Sequence, residues 1–152
     1  VLLNLETKLT CIDTRREWLE KLPESSKLTK ICEENLPEAV KNISEKAFVL
    51  VMTKGHRNDF FIVKQFLNLR EQYFLGVIGS RSKAATLKRE LLKEGIKEDK
   101  INKINCPIGF SFGGNNPQEI AISITSQLLY ERDNLFGKIH SRNPLPKKLC
   151  TN

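Results

Sequence analysis

Short runs of consecutive apolar residues alternate along the chain with longer stretches of helical spacing. The runs at residues 9–12, 47–53 and 74–78 predict β-strands, and Ile31 and Cys32 indicate a shorter strand after a polar loop at residues 25–29. Uninterrupted apolar strands are typical of parallel sheets, which are buried on both faces. The pattern therefore predicts a buried parallel sheet.

Amphipathic helices are predicted between and around these strands. Residues 1–5 have the composition of the last turns of a helix, Trp18 lies in a second helical patch, and Pro37 opens a third. A short helix is predicted at residues 97–102. This alternation of strands and helices predicts an α/β fold, in which helices cover both faces of the parallel sheet.

Three long helices carry recognisable end signals. Asn58 or Asp59 is the predicted cap of the helix after residues 47–53. The helix after residues 74–78 starts at Gly79-Ser80-Arg81 and ends at Gly95. Asn116 is the predicted cap of the last helix, with Pro117 in its first turn and Glu119 in reach of the cap N–H. The apolar positions predicted to face inward are Ile62, Phe66, Leu69, Ala84, Leu87, Leu91, Ile120, Ile124 and Leu128.

The length of 152 residues corresponds to one domain, predicted at residues 1–133, with a basic, loosely ordered tail at residues 134–152. The chain opens inside an apolar segment at Val1, and a G-x-G-x-x-G turn is missing from it. We expect the first strand of the sheet to be absent from these residues. Upstream residues or another chain would fill the gap, or residues 9–12 would pair directly with residues 47–53.

Charge, cysteine content and the length of the apolar runs argue against a nucleic-acid-binding protein, a disulfide-bonded or zinc-binding protein and a membrane protein. The net charge is +7, but Lys and Arg alternate with Glu through residues 88–98, as on a solvated helix face, so no nucleic acid is expected. The four cysteines have no C-x-x-C spacing, which predicts a reducing, cytoplasmic location without disulfides or zinc. The apolar runs are far shorter than the roughly 20 residues of a membrane helix, so no membrane is expected.

Ligands of open parallel sheets bind at the carboxyl ends of the strands, so the loops that follow the strands carry the candidate site. Asp13 follows the first predicted strand, where such sheets place a carboxylate that binds ribose hydroxyls, and Arg15 is close by. The alternative is that Asp13 caps the helix that carries Trp18.

Two further turns offer polar groups. Gly79, Ser80 and Arg81 form a strand-to-helix turn that suits an anion pocket, although an ordinary capped helix has the same residues. His56 follows the strongest strand with Asp59 three residues later, which allows either a His–carboxylate pair or a structural hydrogen bond.

The segment from Cys106 to Gly114 is rich in glycine. Gly109, Gly113 and Gly114 permit close backbone approach by a planar or phosphorylated ligand. Cys106 is either a reactive thiol or a small apolar residue before Pro107. We expect this loop to converge with residues 53–59 and 79–83 on one cleft.

Four motifs together resemble the C-terminal domain of the xanthine dehydrogenase accessory protein family, which includes carbon monoxide dehydrogenase maturation factors. They are residues 48–59, 76–83, 106–109 and 116–124, and residues 13–18 resemble the end of the family's second strand. The similarity spans residues 9–130, and four motifs in the same order are specific where one would be weak.

The resemblance implies a Rossmann-like domain of a non-catalytic chaperone that binds molybdenum cofactor (molybdopterin), protects it during sulfuration and delivers it to a xanthine dehydrogenase-type enzyme. A homodimer and a cysteine desulfurase partner are expected with it. No catalytic residue and no protein-bound metal is assigned. The positions that the resemblance carries over to the cofactor site are Thr53, Gly55, His56, Asp59, Gly79, Ser80, Arg81, Pro107 and Gly109.

Two alternatives stay open. An NAD(P)-dependent oxidoreductase would use Asp13 or Arg15 on the adenosine ribose. A structural unit would only dimerise and dock the target enzyme.

Overall fold

The computed structural model describes residues 1–69 and 73–137 as an α/β fold of short parallel strands and flanking helices. The strands are β1 (Leu9–Asp13), β2 (Leu28–Cys32), β3 (Phe48–Val51), β4 (Phe74–Val77) and β5 (Ile104–Asn105). The α-helices are α1 (Arg16–Glu20), α2 (Leu36–Ala39), α3 (His56–Leu69), α4 (Arg81–Lys93), α5 (Glu98–Ile101) and α6 (Pro117–Phe136). Single 3-10 turns occupy Leu2–Asn4 and Val40–Asn42.

The strands form two parallel sheets. β1 pairs with β2 from Leu9 opposite Leu28 to Asp13 opposite Cys32, and the second sheet has the order β3-β4-β5. The predicted parallel α/β architecture is confirmed. The alternative of a direct pairing between residues 9–12 and residues 47–53 is wrong, because β1 pairs with β2 while β3 pairs with β4 in a separate sheet.

The second sheet is covered on both faces. On one face Val51 and Val77 pack against buried side chains of α3 and α4, among them Phe66 and Leu91. On the other face Phe74 packs against Ile108, which lies in the loop after β5, and against Ile124 of α6. β4 is buried at every position, as expected of a central strand in a parallel sheet.

Several predicted elements differ from the structure in extent. β2 starts at Leu28, inside the predicted polar loop, because its backbone pairs with β1. Residues 1–5 hold one 3-10 turn at Leu2–Asn4. β5 was not predicted, since two residues carry no measurable periodicity.

Helix α3 begins at His56, ahead of the predicted cap at Asn58 or Asp59. Asp59 instead lies in the first turn with its side chain buried, since its carboxylate binds Thr53. Leu69, predicted to face inward, is 45% exposed at the end of α3.

The caps of α4 and α6 are confirmed. The Ser80 side chain accepts a hydrogen bond from the backbone N–H of Lys83, and the Asn116 side chain accepts one from Glu119 at 2.9 Å. The Glu119 carboxylate does not accept from the backbone N–H of the cap residue as predicted, because it accepts from the N–H of Gly114.

Helix α6 continues to Phe136, so the first residues of the predicted tail belong to its last turn. Residues 138–152 of that tail lie outside the described residues. Within the described ranges, no helix is long and apolar enough to cross a membrane.

Candidate functional site

The carboxyl ends of β3, β4 and β5 lie at one edge of their sheet, because the three strands are parallel. Four side chains that follow these strands come together there, and we call them the β3–β5 edge: Thr53, Asp59, Lys83 and Cys106. Asp59 is fully buried. One carboxylate oxygen, Oδ1, accepts from the Thr53 hydroxyl at 2.6 Å and from the Thr53 backbone N–H at 3.1 Å.

Lys83 is the partner of the other Asp59 oxygen. Its Nζ forms an ion pair with Asp59 Oδ2 and donates to the carbonyl of Ile78 at 2.8 Å. Gly79 leaves the path for this side chain, because an added Cβ would lie 2.5 Å from Lys83 Cδ and 3.2 Å from its Cβ. A residue with a side chain at position 79 would therefore displace the Lys83 side chain from its present position.

This ion pair links the segments that follow β3 and β4. A buried carboxylate is costly unless it is paired and hydrogen-bonded, and Asp59 meets both conditions. From the sequence, Lys83 was only one of two cations in the segment 79–83, and no partner was predicted for it. The usable signal was a lysine in the first turn of the helix that follows Gly79 and its cap residue Ser80.

Cys106 begins the third segment of the edge. Burial is the largest cause that raises the pKa of its thiol, while Lys83 lowers and Asp59 raises the pKa electrostatically. The side chain packs against the core under α3 and α4. These observations favour the alternative of a small apolar residue, since the thiolate is disfavoured by burial.

His56 lies on the α4 side of α3. Its Nε2 is 2.7 Å from Glu90 Oε2, so the predicted pair with Asp59 is wrong: the cationic Lys83 occupies the Asp59 carboxylate. A shallow open depression between the two helices is lined by His56, Arg57, Phe60, Glu90, Lys93 and Glu94.

The turn at Gly79, Ser80 and Arg81 is compatible with both predictions made for it, an anion pocket and an ordinary capped helix start. Ser80 caps α4, as an ordinary helix start requires. Arg81 is exposed at the first position of α4, beside the β3–β5 edge, and no ion pair of Arg81 occurs in the described part of the chain. Gly55 lies in the preceding loop, where its carbonyl oxygen is 3.3 Å from the Thr53 hydroxyl oxygen.

The glycines after Pro107 contact α6. The N–H of Gly109 donates to Gln127 Oε1 at 2.6 Å, and a Cβ at Gly109 would lie 2.6 Å from Ser123 Oγ. Gly113 and Gly114 lie against Glu119. The predicted convergence therefore holds for the residues around Cys106, whereas the glycine half of the loop is held by α6, because its backbone groups find partners on that helix.

Asp13 ends β1 in the first sheet. Arg15 binds its carboxylate through Nε at 2.9 Å and Nη2 at 2.8 Å, and these side-chain hydrogen bonds are the main cause that holds the pKa of Asp13 below its usual value. The alternative that Asp13 caps the following helix is wrong. The cap residue of α1 is Arg15, and no side chain caps this helix.

Comparisons with known proteins identify the family. A family model described as the XdhC Rossmann domain matches residues 1–128. YqeB of Escherichia coli (strain K12) is 36% identical over 64 residues, which are 42% of this chain and 12% of YqeB. A crystal structure described as a xanthine dehydrogenase from Bacillus halodurans matches with 27% identity and a TM-score of 0.68, over 88% of this chain and 38% of that one.

The chain thus spans well under half the length of these two relatives. The family model and the Bacillus halodurans structure confirm the Rossmann-like fold and the resemblance to the xanthine dehydrogenase accessory proteins. The chain belongs to the XdhC Rossmann-domain family.

Proposed function

We propose that this chain is the Rossmann-like part of an accessory protein that binds molybdenum cofactor and delivers it to a xanthine dehydrogenase-type enzyme. The observation that carries the proposal is the family match over residues 1–128. It is supported by the β3–β5 edge, which joins three of the four motifs that resemble the family.

The residues at the edge fit such a ligand. Lys83 and Arg81 are cations for an anionic group, and the Lys83 side chain keeps 20% exposure beside its buried partner. Ile78 and Pro107 directly follow β4 and Cys106 along the chain and are half-buried, so their exposed parts would supply apolar surface for a flat ring. The cofactor would supply the redox chemistry of the target enzyme, while these residues would bind and orient it.

The nicotinamide alternative has less support from the first sheet in its NAD form, in which the ribose carries no phosphate. Its adenosine ribose would need the carboxylate of Asp13, and Arg15 already binds both oxygens of that carboxylate. A homodimer and a cysteine desulfurase partner remain part of the proposal, since sulfuration of the cofactor requires a sulfur donor.

Activation of the target enzyme tests this function. A strain that lacks the accessory protein should regain xanthine dehydrogenase activity with the natural protein and much less with Arg81→Ala. Arg89→Ala is the matched control, because Arg89 is also an exposed arginine of α4. Equal activity without any accessory protein would contradict the proposal.

A further inference from the structure

The side chains that follow β1 form a second group, which the proposed cofactor site does not use. We call Asp13, Arg15, Trp18 and Lys21 the Trp18 cluster. The guanidinium carbon of Arg15 lies 5.0 Å from the centroid of the Trp18 ring, and Nζ of Lys21 lies 4.7 Å from it. Trp18 is nevertheless 53% exposed, so a ligand can reach the cluster.

Both oxygens of the Asp13 carboxylate already accept hydrogen bonds. Two side-chain N–H groups of Arg15 bind its two oxygens, and the backbone N–H of Arg15 adds a third bond at 2.9 Å. A ribose diol would have to displace a bidentate, charge-assisted pair to reach this carboxylate. Asp13 is therefore not the group that contacts a ligand.

The guanidinium of Arg15 keeps N–H groups that do not bind Asp13. Nε and one N–H of Nη2 bind Asp13, and its remaining N–H groups make no hydrogen bond within the described part of the chain. The Arg15 side chain is 39% exposed. Because Asp13 and Trp18 fix its plane, less conformational entropy is lost when an anion binds.

The position of the cluster indicates which kind of anion it binds. The cluster follows β1, and residues 13–18 resemble the end of the second strand of the family's sheet. At the end of that strand in nucleotide-binding sheets, an arginine accommodates a phosphate carried on a ribose, whereas a free carboxylate binds the unphosphorylated sugar. Lys21 adds a second cation next to the same ring and offsets the nearby carboxylate of Glu17.

We propose that the Trp18 cluster binds a phosphomonoester, with Arg15 in contact with the phosphate and Asp13 as the residue that positions Arg15. The ester is that of a nucleoside or of a phosphorylated pterin, which share the same dianionic group. Only the pterin case rests on the proposed function, so the two can fail separately.

Trp18 provides the measurement, because it is the only tryptophan of the chain and gives a single indole N–H signal in a ¹H–¹⁵N spectrum. Two matched pairs of ligands differ only in the phosphate: adenosine with 2′-AMP, and 6-hydroxymethylpterin with its phosphate. We expect the phosphorylated member of at least one pair to shift this signal saturably, with an affinity at least about tenfold higher than its partner. The pair that responds identifies the source of the phosphate.

The variants separate contact from positioning. Arg15→Gln should abolish the preference for phosphate, and Arg16→Gln, an exposed neighbour on α1, should retain it. Asp13→Asn should weaken phosphate binding and Asp13→Glu should restore part of it. Absence of a preference in both pairs, tighter binding of adenosine than of 2′-AMP, or a preference that survives Arg15→Gln would overturn the inference.

Discussion

A single buried carboxylate organises the residues at the end of β3. The Asp59 carboxylate accepts two hydrogen bonds from Thr53 and forms an ion pair with the ammonium group of Lys83. Lys83 also donates a hydrogen bond to the carbonyl of Ile78. Buried ion pairs of this kind add little stability over apolar residues, but breaking one leaves an uncompensated charge. The pair therefore holds two loops in one arrangement.

Removal of Lys83 is predicted to be far more destabilising than removal of a surface lysine. Lys83→Met leaves the buried Asp59 without its cation, for which a loss of about 3–5 kcal/mol of unfolding free energy is expected. Lys88→Met is the control on the same helix, because Lys88 pairs with Glu98 at the surface and such pairs contribute roughly 0–1 kcal/mol. Urea unfolding measures both, and equal losses would contradict the account.

The cysteines differ in the reactivity expected of them. Burial raises the pKa of Cys106, and burial followed by the charge of Asp13 raises that of Cys11, whereas the Cys32 side chain is exposed. Iodoacetamide at neutral pH should therefore modify Cys32 before Cys106 and Cys11. Peptide mapping by mass spectrometry gives the order, and Cys106 as the first site would restore the reactive-thiol alternative.

At the scale of elements, local chemistry determined which features the sequence could predict. The caps at Ser80 and Asn116 depend on residues three positions apart, so they are visible in the sequence. The extent of β2 beyond Ile31 and Cys32 and the existence of β5 depend on pairing with neighbouring strands, and the buried position of Asp59 depends on Lys83 from another helix. Such tertiary causes leave no local periodicity to detect.

The start of α6 is predicted to be sensitive to acid. The N–H of Gly114 is the largest cause that lowers the pKa of Glu119, so this carboxylate stabilises the fold above its unfolded pKa, and the contribution is lost as pH falls through the lower folded value. The stability difference between the natural protein and Glu119→Gln should therefore shrink from pH 7 to pH 3.

Glu131 provides the opposite control on the same helix. Burial raises the pKa of Glu131, so the charged form of this side chain opposes folding. The resulting loss of stability appears as the pH rises from the pKa of the unfolded chain through the higher pKa of the folded protein. Glu131→Gln should gain stability relative to the natural protein at pH 7 and lose that advantage at pH 3. Parallel trends for the two variants in urea unfolding would refute this assignment.

At the scale of the molecule, the described strands form two separate sheets. β1 pairs only with β2 and β3 only with β4 among the described strands, so each presents one edge of unpaired backbone groups. In a doubly wound sheet one further strand lies between these two positions. We expect a strand from outside the described residues to occupy it.

Hydrogen exchange tests this expectation. In the 152-residue chain alone, those amides of β1 and β3 that lie on the unpaired edge of each strand should exchange as fast as exposed groups. In a longer polypeptide that carries the residues upstream, the same amides should become protected, while those of β4 stay protected in both. Equal protection of β1 and β3 in the two forms would show that no further strand pairs with these edges.

The most direct test of the central claim is calorimetric titration of the protein with isolated molybdenum cofactor. We predict binding by the natural protein, a loss of roughly 1.5–3 kcal/mol in Arg81→Ala, where one charge-assisted hydrogen bond to the anion is removed, and no change in Arg89→Ala. Unchanged affinity in Arg81→Ala would reduce that turn to a helix cap. Binding of a nicotinamide dinucleotide without binding of the cofactor would contradict the account as a whole.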